Sequence, residues 1–392
     1  MESRELNPPE RLLLGPGPSN VSSRVLRAMA MPIVGHLDPY FVEVMYETQA
    51  LLRSVFRTKN KLTLPLSATG MGGMEAALTN LVEAGDEVIV GVNGFFGERM
   101  CEVVSRLGGK PLKVEAEWGT AIDPDSIETT LKSSNAKVVA MVNAETSTGV
   151  QQPIKDAAAL AKAYDSILVV DAVTSLGGCE LDVDAWGVDV CYSGTQKCLN
   201  CPPGLAPITV GERAIEKISK RKTKVPSFYF DLAQVGRYWS DERAYHHTAP
   251  ISMIYALREA LKIALEEGLE NRWARHRRNS QALVSGVEAL GIRMLAREEC
   301  RLPTLNAISV PEGVADASVR KRLLSDFNIE IGGGLGALKG RIWRVGLMGM
   351  NSNEKVVITA LGALELALKR ENYPVKIGEG SRAALEFYGS NG

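Results

Sequence analysis

The chain has no run of about 18 apolar residues, the length that a membrane-crossing helix needs. Its first stretch, Met1-Glu2-Ser3-Arg4-Glu5-Leu6-Asn7-Pro8-Pro9, lacks the apolar segment of a secretion signal. A soluble, intracellular and cytoplasmic protein is therefore expected, with an organellar location left open. Cysteine is sparse: six in 392 residues make no disulfide framework, and Cys198-Leu199-Asn200-Cys201 is the one CxxC, half of a zinc site. Reduced thiols in a core or turn are expected there, and no metal. Net charge is nearly absent too, at −1, so no overall field draws the chain to nucleic acid or to an anionic membrane. The bases between Arg272 and Arg278 fall in a helical pattern and read as a solvated face. Internal repeats and low-complexity tracts are also lacking.

What is present is ordinary globular composition, 45% hydrophobic and 23% charged, in a chain long enough for one sizeable core and a smaller second one. From about residue 43 to 215, helical patterns alternate with short Val/Ile/Leu-rich runs: 86–91, 110–114, 138–142, 167–171, 188–192 and 206–210. This alternation predicts an α/β domain with a mainly parallel sheet covered by helices, whose ligand sits beyond the carboxyl ends of the strands. Helical patterns over 251–268 and 271–290 lead to short strands at 305–310, 329–331 and 342–345 and a closing helix over 356–369. A small α+β domain is expected there, to which the N-terminal segment adds. The polar, glycine-containing tail after Tyr373 reads as loosely ordered.

The chemistry-bearing residues fall at those strand ends. The strand Ile167-Leu168-Val169-Val170-Asp171 ends in an acid, and Val188 to Tyr192 runs into the polar turn Ser193-Gly194-Thr195-Gln196-Lys197. An amine on an ordered turn beside apolar strands loses hydration and has its pKa lowered. A lysine and a carboxylate so placed suit pyridoxal phosphate, which needs an amine to hold its aldehyde and an acid to keep its ring nitrogen protonated. Thr69-Gly70-Met71 follows an apolar run and opens a helix, where free N–H groups and the positive dipole end suit a phosphate. Arg344 lies inside the apolar strand Ile342-Trp343-Arg344-Val345-Gly346, where an unpaired charge is costly, and its planar fork matches a substrate carboxylate.

Six segments occur in order: Arg11 to Asn20, Glu145 to Gly149, Val170 to Gly178, the lysine turn, Tyr245-His246-His247-Thr248, and Arg344 to Gly349. In this the chain resembles the alanine:glyoxylate and serine:pyruvate aminotransferases, class V enzymes of fold type I, over residues 11 to 370. The resemblance implies a large domain (23–270) with a mainly parallel seven-stranded sheet, a smaller C-terminal α+β domain (271–392) and an N-terminal segment (1–22) packed on the small domain and the partner subunit. It implies pyridoxal 5'-phosphate as cofactor, with Lys197 as the catalytic amine and Asp171 at the ring nitrogen. Thr69, Gly70, Met71 and Gln196 would cradle the phosphate, although relatives often carry His at the position of Met71. Phe96 would stack on the ring where relatives often have Trp, Val173 would cover the other face, and Thr146 would lie near the ring oxygen or substrate. Gly17, His36 and Arg344 would meet the substrate.

In the same family Tyr245 and Thr248 reach the phosphate of the neighbouring subunit, implying a homodimer with shared sites. The adjacent His246 and His247 invite a metal reading, but in an extended segment neighbouring side chains are expected on opposite faces. The reaction expected is ping-pong transamination of alanine, or serine, with glyoxylate or pyruvate. A related transaminase acting on ureidoglycine, hydroxykynurenine or an aminophosphonate is the alternative. A non-catalytic cofactor-binding regulator is a reading of a different class. A cysteine desulfurase is disfavoured because the Gly332–Gly340 region holds no cysteine.

Overall fold

A computed structural model of the chain describes residues 5–390. Seven strands form its main sheet, in the order Leu62–Leu66, Ala206–Val210, Val190–Tyr192, Ile167–Asp171, Val138–Val142, Glu87–Val92 and Lys110–Glu115. All share one direction except Ala206–Val210, which is antiparallel to both its neighbours. The central strands Val138–Val142 and Ile167–Asp171 are buried throughout, as expected of Val/Ile-rich strands covered by helices on both faces. The edge strand Lys110–Glu115 is largely accessible and carries two lysines, which discourages pairing with another chain.

Helices start where capping residues allow. Asp38 caps Pro39–Phe56 by accepting from the Tyr40 N–H, with proline at the first helical position, and Arg57 in the left-handed region ends it. The connections bring several helix N-termini to one end of the sheet. Gly70–Leu81 follows the strand Leu62–Leu66, and Phe95–Arg106 follows Glu87–Val92, so their first turns face the end where Asp171 closes its strand.

Buried apolar residues divide into two principal cores. The larger spans Val25 to Trp273 and contains the main sheet. The second joins Leu14 to residues from Ala282 through Tyr388, around the three-stranded sheet of Leu305–Ser309, Ile342–Gly346 and Gly332–Gly333. Leu12–Leu13 pairs in parallel with Ile329–Glu330, which ties the N-terminal segment to that second core. No helix among the described residues is long and apolar enough to cross a membrane.

Two expectations are corrected. As far as Ser390 the tail after Tyr373 is ordered: Glu379–Ser390 is a helix whose Gly380, Ala384 and Tyr388, spaced four apart, are buried, while Asn391 and Gly392 lie outside the described residues. It packs on Leu269–Ala289, and a Cβ on Gly286 would lie 2.8 Å from the Gly380 carbonyl, so small residues permit close approach of the helices. The Arg272–Arg278 stretch is not a uniformly solvated face either. Arg272 is 3% exposed and donates to the carbonyls of Gly177 (2.8 Å) and Cys198 (2.5 Å) and to Glu267 (2.7 Å). A buried guanidinium is tolerated there because each side of its fork meets an acceptor.

Candidate active site

Lys197 ends a turn that is held by the backbone. Ser193 donates its N–H to the Pro207 carbonyl (2.8 Å), Thr195 Oγ1 donates to Pro202 O (2.7 Å), and Ser19 Oγ donates to the Lys197 carbonyl (2.8 Å). The lysine side chain is 9% exposed, and its Nζ donates to the Pro16 carbonyl. Gly17, at φ +106°, passes so close that a Cβ there would lie 2.8 Å from Nζ, so both conformation and space require glycine. Burial, with the neighbouring positive charge of Arg344, lowers the lysine pKa to about 8, while Cys198 and Asp171 oppose the shift.

Asp171 shares the sheet register with Tyr192, the residue that leads into the lysine turn. Its Oδ1 accepts the Val173 N–H (2.8 Å) and its Oδ2 accepts the Tyr192 hydroxyl (2.9 Å). Burial pushes the carboxyl up to about 6, against the pull of those two donors. The fully buried Glu145 collects the N–H groups of Phe96 (3.0 Å), Gly97 (3.3 Å) and Ser147 (3.0 Å) and the Ser147 hydroxyl (2.6 Å). It thereby anchors the first turn of the helix that carries Phe96. Tyr192 and Glu145 were absent from the residues singled out in sequence. A hydroxyl directly ahead of the lysine turn and a carboxylate inside a buried loop were the available signals.

Between these elements lies a cleft whose lining includes Thr69, Gly70, Met71, Phe96, Thr146, Asp171, Val173, Gln196 and Lys197. Thr69 makes no side-chain capping bond to its helix, leaving its hydroxyl and the N–H groups of Gly70 and Met71 available, while those of Gly72 and Gly73 donate to its carbonyl. Gln196 Oε1 is buried without a partner. The turn is tight: a Cβ on Gly70 would stand 3.0 Å from Val173. A helix N-terminus, a carboxyl and an amine of lowered pKa around a partly apolar slot fit a phosphorylated pyridine aldehyde.

Arg344 enters from the three-stranded sheet and is 6% exposed. Its Nε donates to the Gly333 carbonyl (2.7 Å) and Nη1 reaches the Thr146 carbonyl at 3.4 Å. Burial lowers its pKa to about 10. Among the described residues it forms no ion pair. Cys300 is buried with its Sγ at 3.5 Å from the Gly119 carbonyl and does not line the cleft.

Gly17, His36, Tyr245, Thr248 and Arg344 are not among the residues that line this cleft; Gly17 and Arg344 reach the site through Lys197, the first by close approach to Nζ and the second by its charge. Tyr245 is 65% exposed, Thr248 is exposed, and the rings of His36 and Tyr245 pack on each other with centroids 5.5 Å apart. The expected divergence of His246 and His247 does not occur: their Nδ1 atoms are 2.8 Å apart and the rings meet edge to face at 87°. The segment is not a regular strand, so its side chains do not alternate.

The profile of the family "Aminotransferase class-V" matches residues 16–356. The alanine–glyoxylate aminotransferase of Drosophila melanogaster is 41% identical over 378 residues, covering 95% of this chain and 96% of that one. Among solved structures, the ureidoglycine–glyoxylate aminotransferase of Bacillus subtilis superposes with a TM-score of 0.96 at 42% identity, covering 98% of this chain and 100% of the other. The alanine–glyoxylate aminotransferase of Nostoc sp. does so with a TM-score of 0.92 at 47% identity, covering 94% and 98%.

Proposed function

From the premise that the chain belongs to the class-V aminotransferase family, we propose that it moves the amino group of alanine, with serine as a second donor, to glyoxylate. The chain is a transaminase of fold type I that depends on pyridoxal 5'-phosphate. When bound, that cofactor supplies an aldehyde that combines with amines and a ring that accepts electrons.

Lys197 is the catalytic amine. With its pKa near 8, Nζ carries a free-base fraction near neutral pH and moves the substrate Cα proton. Asp171 holds the proton on the ring nitrogen, and Tyr192 with the Val173 N–H keeps the carboxylate oriented. Thr69, Gly70, Met71 and Gln196 would bind the cofactor's phosphate, Phe96 and Val173 would confine its ring, and Thr146 would stand near the ring oxygen or the substrate. Arg344 binds the substrate carboxylate through its fork, and Gly17 leaves room next to Nζ. Residues 23–270 form the cofactor-binding domain, 271–392 the small domain, and 1–22 a segment against the small domain and the partner. Two chains form a dimer in which Tyr245 and Thr248 complete the partner's phosphate site and His36 takes part in choosing the substrate.

The observation that carries this reading is Arg344: a buried cation without a carboxylate partner, near enough to Lys197 to lower its pKa. A substrate carboxylate supplies the missing charge, and a donor and an acceptor that both carry one use the same arginine in turn. A second reading, ureidoglycine as donor, is favoured by the likeness to the Bacillus subtilis enzyme. A panel of donors and acceptors scored by product identity tests both. Alanine with glyoxylate should be fastest; glutamate as best donor to glyoxylate, or 2-oxoglutarate as best acceptor from alanine, overturns the substrate reading, and ureidoglycine as best donor replaces it with the second.

A further inference from the structure

We propose that His246 and His247 are a positioning pair that fixes the segment lent to the partner's site against the phosphate-side turn of its own subunit. The inference rests on the shared-site reading above. His247 Nε2 lies 2.7 Å from Ser67 Oγ, His247 Nδ1 lies 2.8 Å from His246 Nδ1, and His246 Nε2 lies 3.0 Å from the Phe228 carbonyl. Ser67 stands two residues before Thr69, the cap of the helix that opens the cleft. The chain of contacts therefore runs from the turn of one site to the segment holding Tyr245 and Thr248.

Its direction follows from donor and acceptor chemistry. The Phe228 carbonyl only accepts, so His246 carries its proton on Nε2. In the neutral ring Nδ1 is then bare and accepts, which places the His247 proton on Nδ1. The remaining His247 Nε2 accepts from the Ser67 hydroxyl. Every polar atom in the chain is satisfied with both rings neutral. Burial, assisted by His246 and His36, lowers the His247 pKa from its ordinary value, in keeping with a neutral ring.

The two ends differ in rigidity. Ser67 is held between a largely buried strand and a helix, and the Tyr229 hydroxyl donates to its carbonyl (3.1 Å). Residues 244–248, by contrast, lie outside helix and strand and make no backbone–backbone hydrogen bond among the described residues. The anchored turn therefore sets the position of the loop, through the histidines and the stacking of His246 on Phe228 at 4.8 Å. Losing this tie should be felt in the site the loop serves, not in the site of its own chain.

Hybrid dimers separate those two sites. Each contains one Lys197→Ala and one His247→Phe substitution, placed either in the same subunit or in different ones, so composition is constant and only arrangement changes. In the same-subunit hybrid the altered loop serves the intact lysine; in the split hybrid it serves the lysine-free site. The amount of cofactor fixed on Lys197 by borohydride, counted by mass spectrometry across a cofactor titration, reads the intact site alone.

Half-saturation should rise about tenfold in the same-subunit hybrid, as expected for a lost hydrogen-bonded tie, and stay within about twofold of wild type in the split one. Ser67→Ala in place of His247→Phe should repeat the pattern and guards against a folding defect peculiar to phenylalanine. In the wild-type holoenzyme, nitrogen-15 spectra of the histidines should show His247 protonated on Nδ1 and His246 on Nε2. Equal effects in both arrangements, no effect in either, or the opposite tautomers overturn the positioning role. Control hybrids carrying Tyr245→Phe with Thr248→Ala tell which premise failed: if they too ignore arrangement, the shared site falls and the inference with it; if they respond and the histidine hybrids do not, only the inference falls.

Discussion

The two buried regions that bring Asp171 and Arg344 close enough to act on Lys197 treat their charges in opposite ways. At the end of the seven-stranded sheet, Asp171 is answered by a backbone N–H and the Tyr192 hydroxyl, and Glu145 by three backbone N–H groups and a serine. In the three-stranded sheet, Arg344 has one short bond to a carbonyl, one long one, and among the described residues no ion pair, with the charge of Glu145 acting on it only from a distance. A region that satisfies its own charges is built to hold something in one orientation. A region that leaves a buried cation short of an anion is built to receive one, because the desolvation of the guanidinium is offset only when a carboxylate arrives.

The largest way to break this contrast is to remove the lysine between the two regions. Lys197→Ala should lower turnover by roughly 10²–10⁴-fold, the range for loss of a positioned acid–base group, while the cofactor still binds. Rapid-mixing absorbance of the loaded protein with alanine reads it directly; a wild-type rate would refute the assignment.

Arg344→Lys tests the other side. It keeps a charge but loses the fork, and a carboxylate left half-paired in a buried site should cost about 2 to 5 kcal/mol in kcat/KM. The loss should appear for donor and acceptor alike, since one arginine serves both half-reactions. A loss confined to one of them would mean that a second group binds the other carboxylate.

Tyr192→Phe sharpens the comparison within the first region. The hydroxyl favours the charged form of Asp171, so without it the carboxyl pKa should climb above about 6, and cofactor affinity should fall by about 1.5 to 3 kcal/mol, the range for a hydrogen bond to a charged group. Cofactor titrations at several pH values should show the acid limb of binding moved to higher pH. An unmoved limb would show that the Val173 N–H alone sets the carboxylate.

The last effect expected is one of stability alone, outside catalysis. Folded Asp171 has its pKa raised from 3.8 to about 6, so the folded chain binds more protons than the unfolded one between those values, and stability falls as pH rises through that window. Above about 6 the loss is complete, on the order of 2 to 3 kcal/mol. Asp171→Asn should therefore raise the melting temperature of the cofactor-free protein at pH 7, with little gain near pH 4, while it weakens cofactor binding. Equal melting temperatures at pH 7 would show that the amide meets its two donors worse than the carboxylate does.

Much of the first region was legible in sequence because its signals are local. A Val-rich strand ending in Asp171, and a strand running into a polar turn that ends in Lys197, follow from residue order alone. The glycine turn at Gly70 likewise announces a helix start. Tyr192 and Glu145 were not legible, because their value depends on which strand lies alongside and which helix begins opposite. Arg272 was misread for the same reason: its helical pattern is polar on average, and only packing against Gly177 and Cys198 buries it. The tail helix was missed because its buried stripe of Gly380, Ala384 and Tyr388 is too small and sparse to show as an apolar period.

By itself the sequence determined the alternation of helix and strand, the class of sheet, and the residue types that suit a phosphorylated aldehyde and a carboxylate. Periodicity, turn residues and charge inside apolar runs act over a few neighbours and are written in residue order. Only the tertiary structure decided that Arg344 faces Lys197 without a carboxylate partner of its own, that Tyr192 steadies Asp171, and that two adjacent histidines meet instead of diverging. Each of those depends on surfaces brought together from distant parts of the chain. Desolvation and hydrogen-bond partnership, which set the pKa values and the pairing of these groups, exist only once those surfaces have closed.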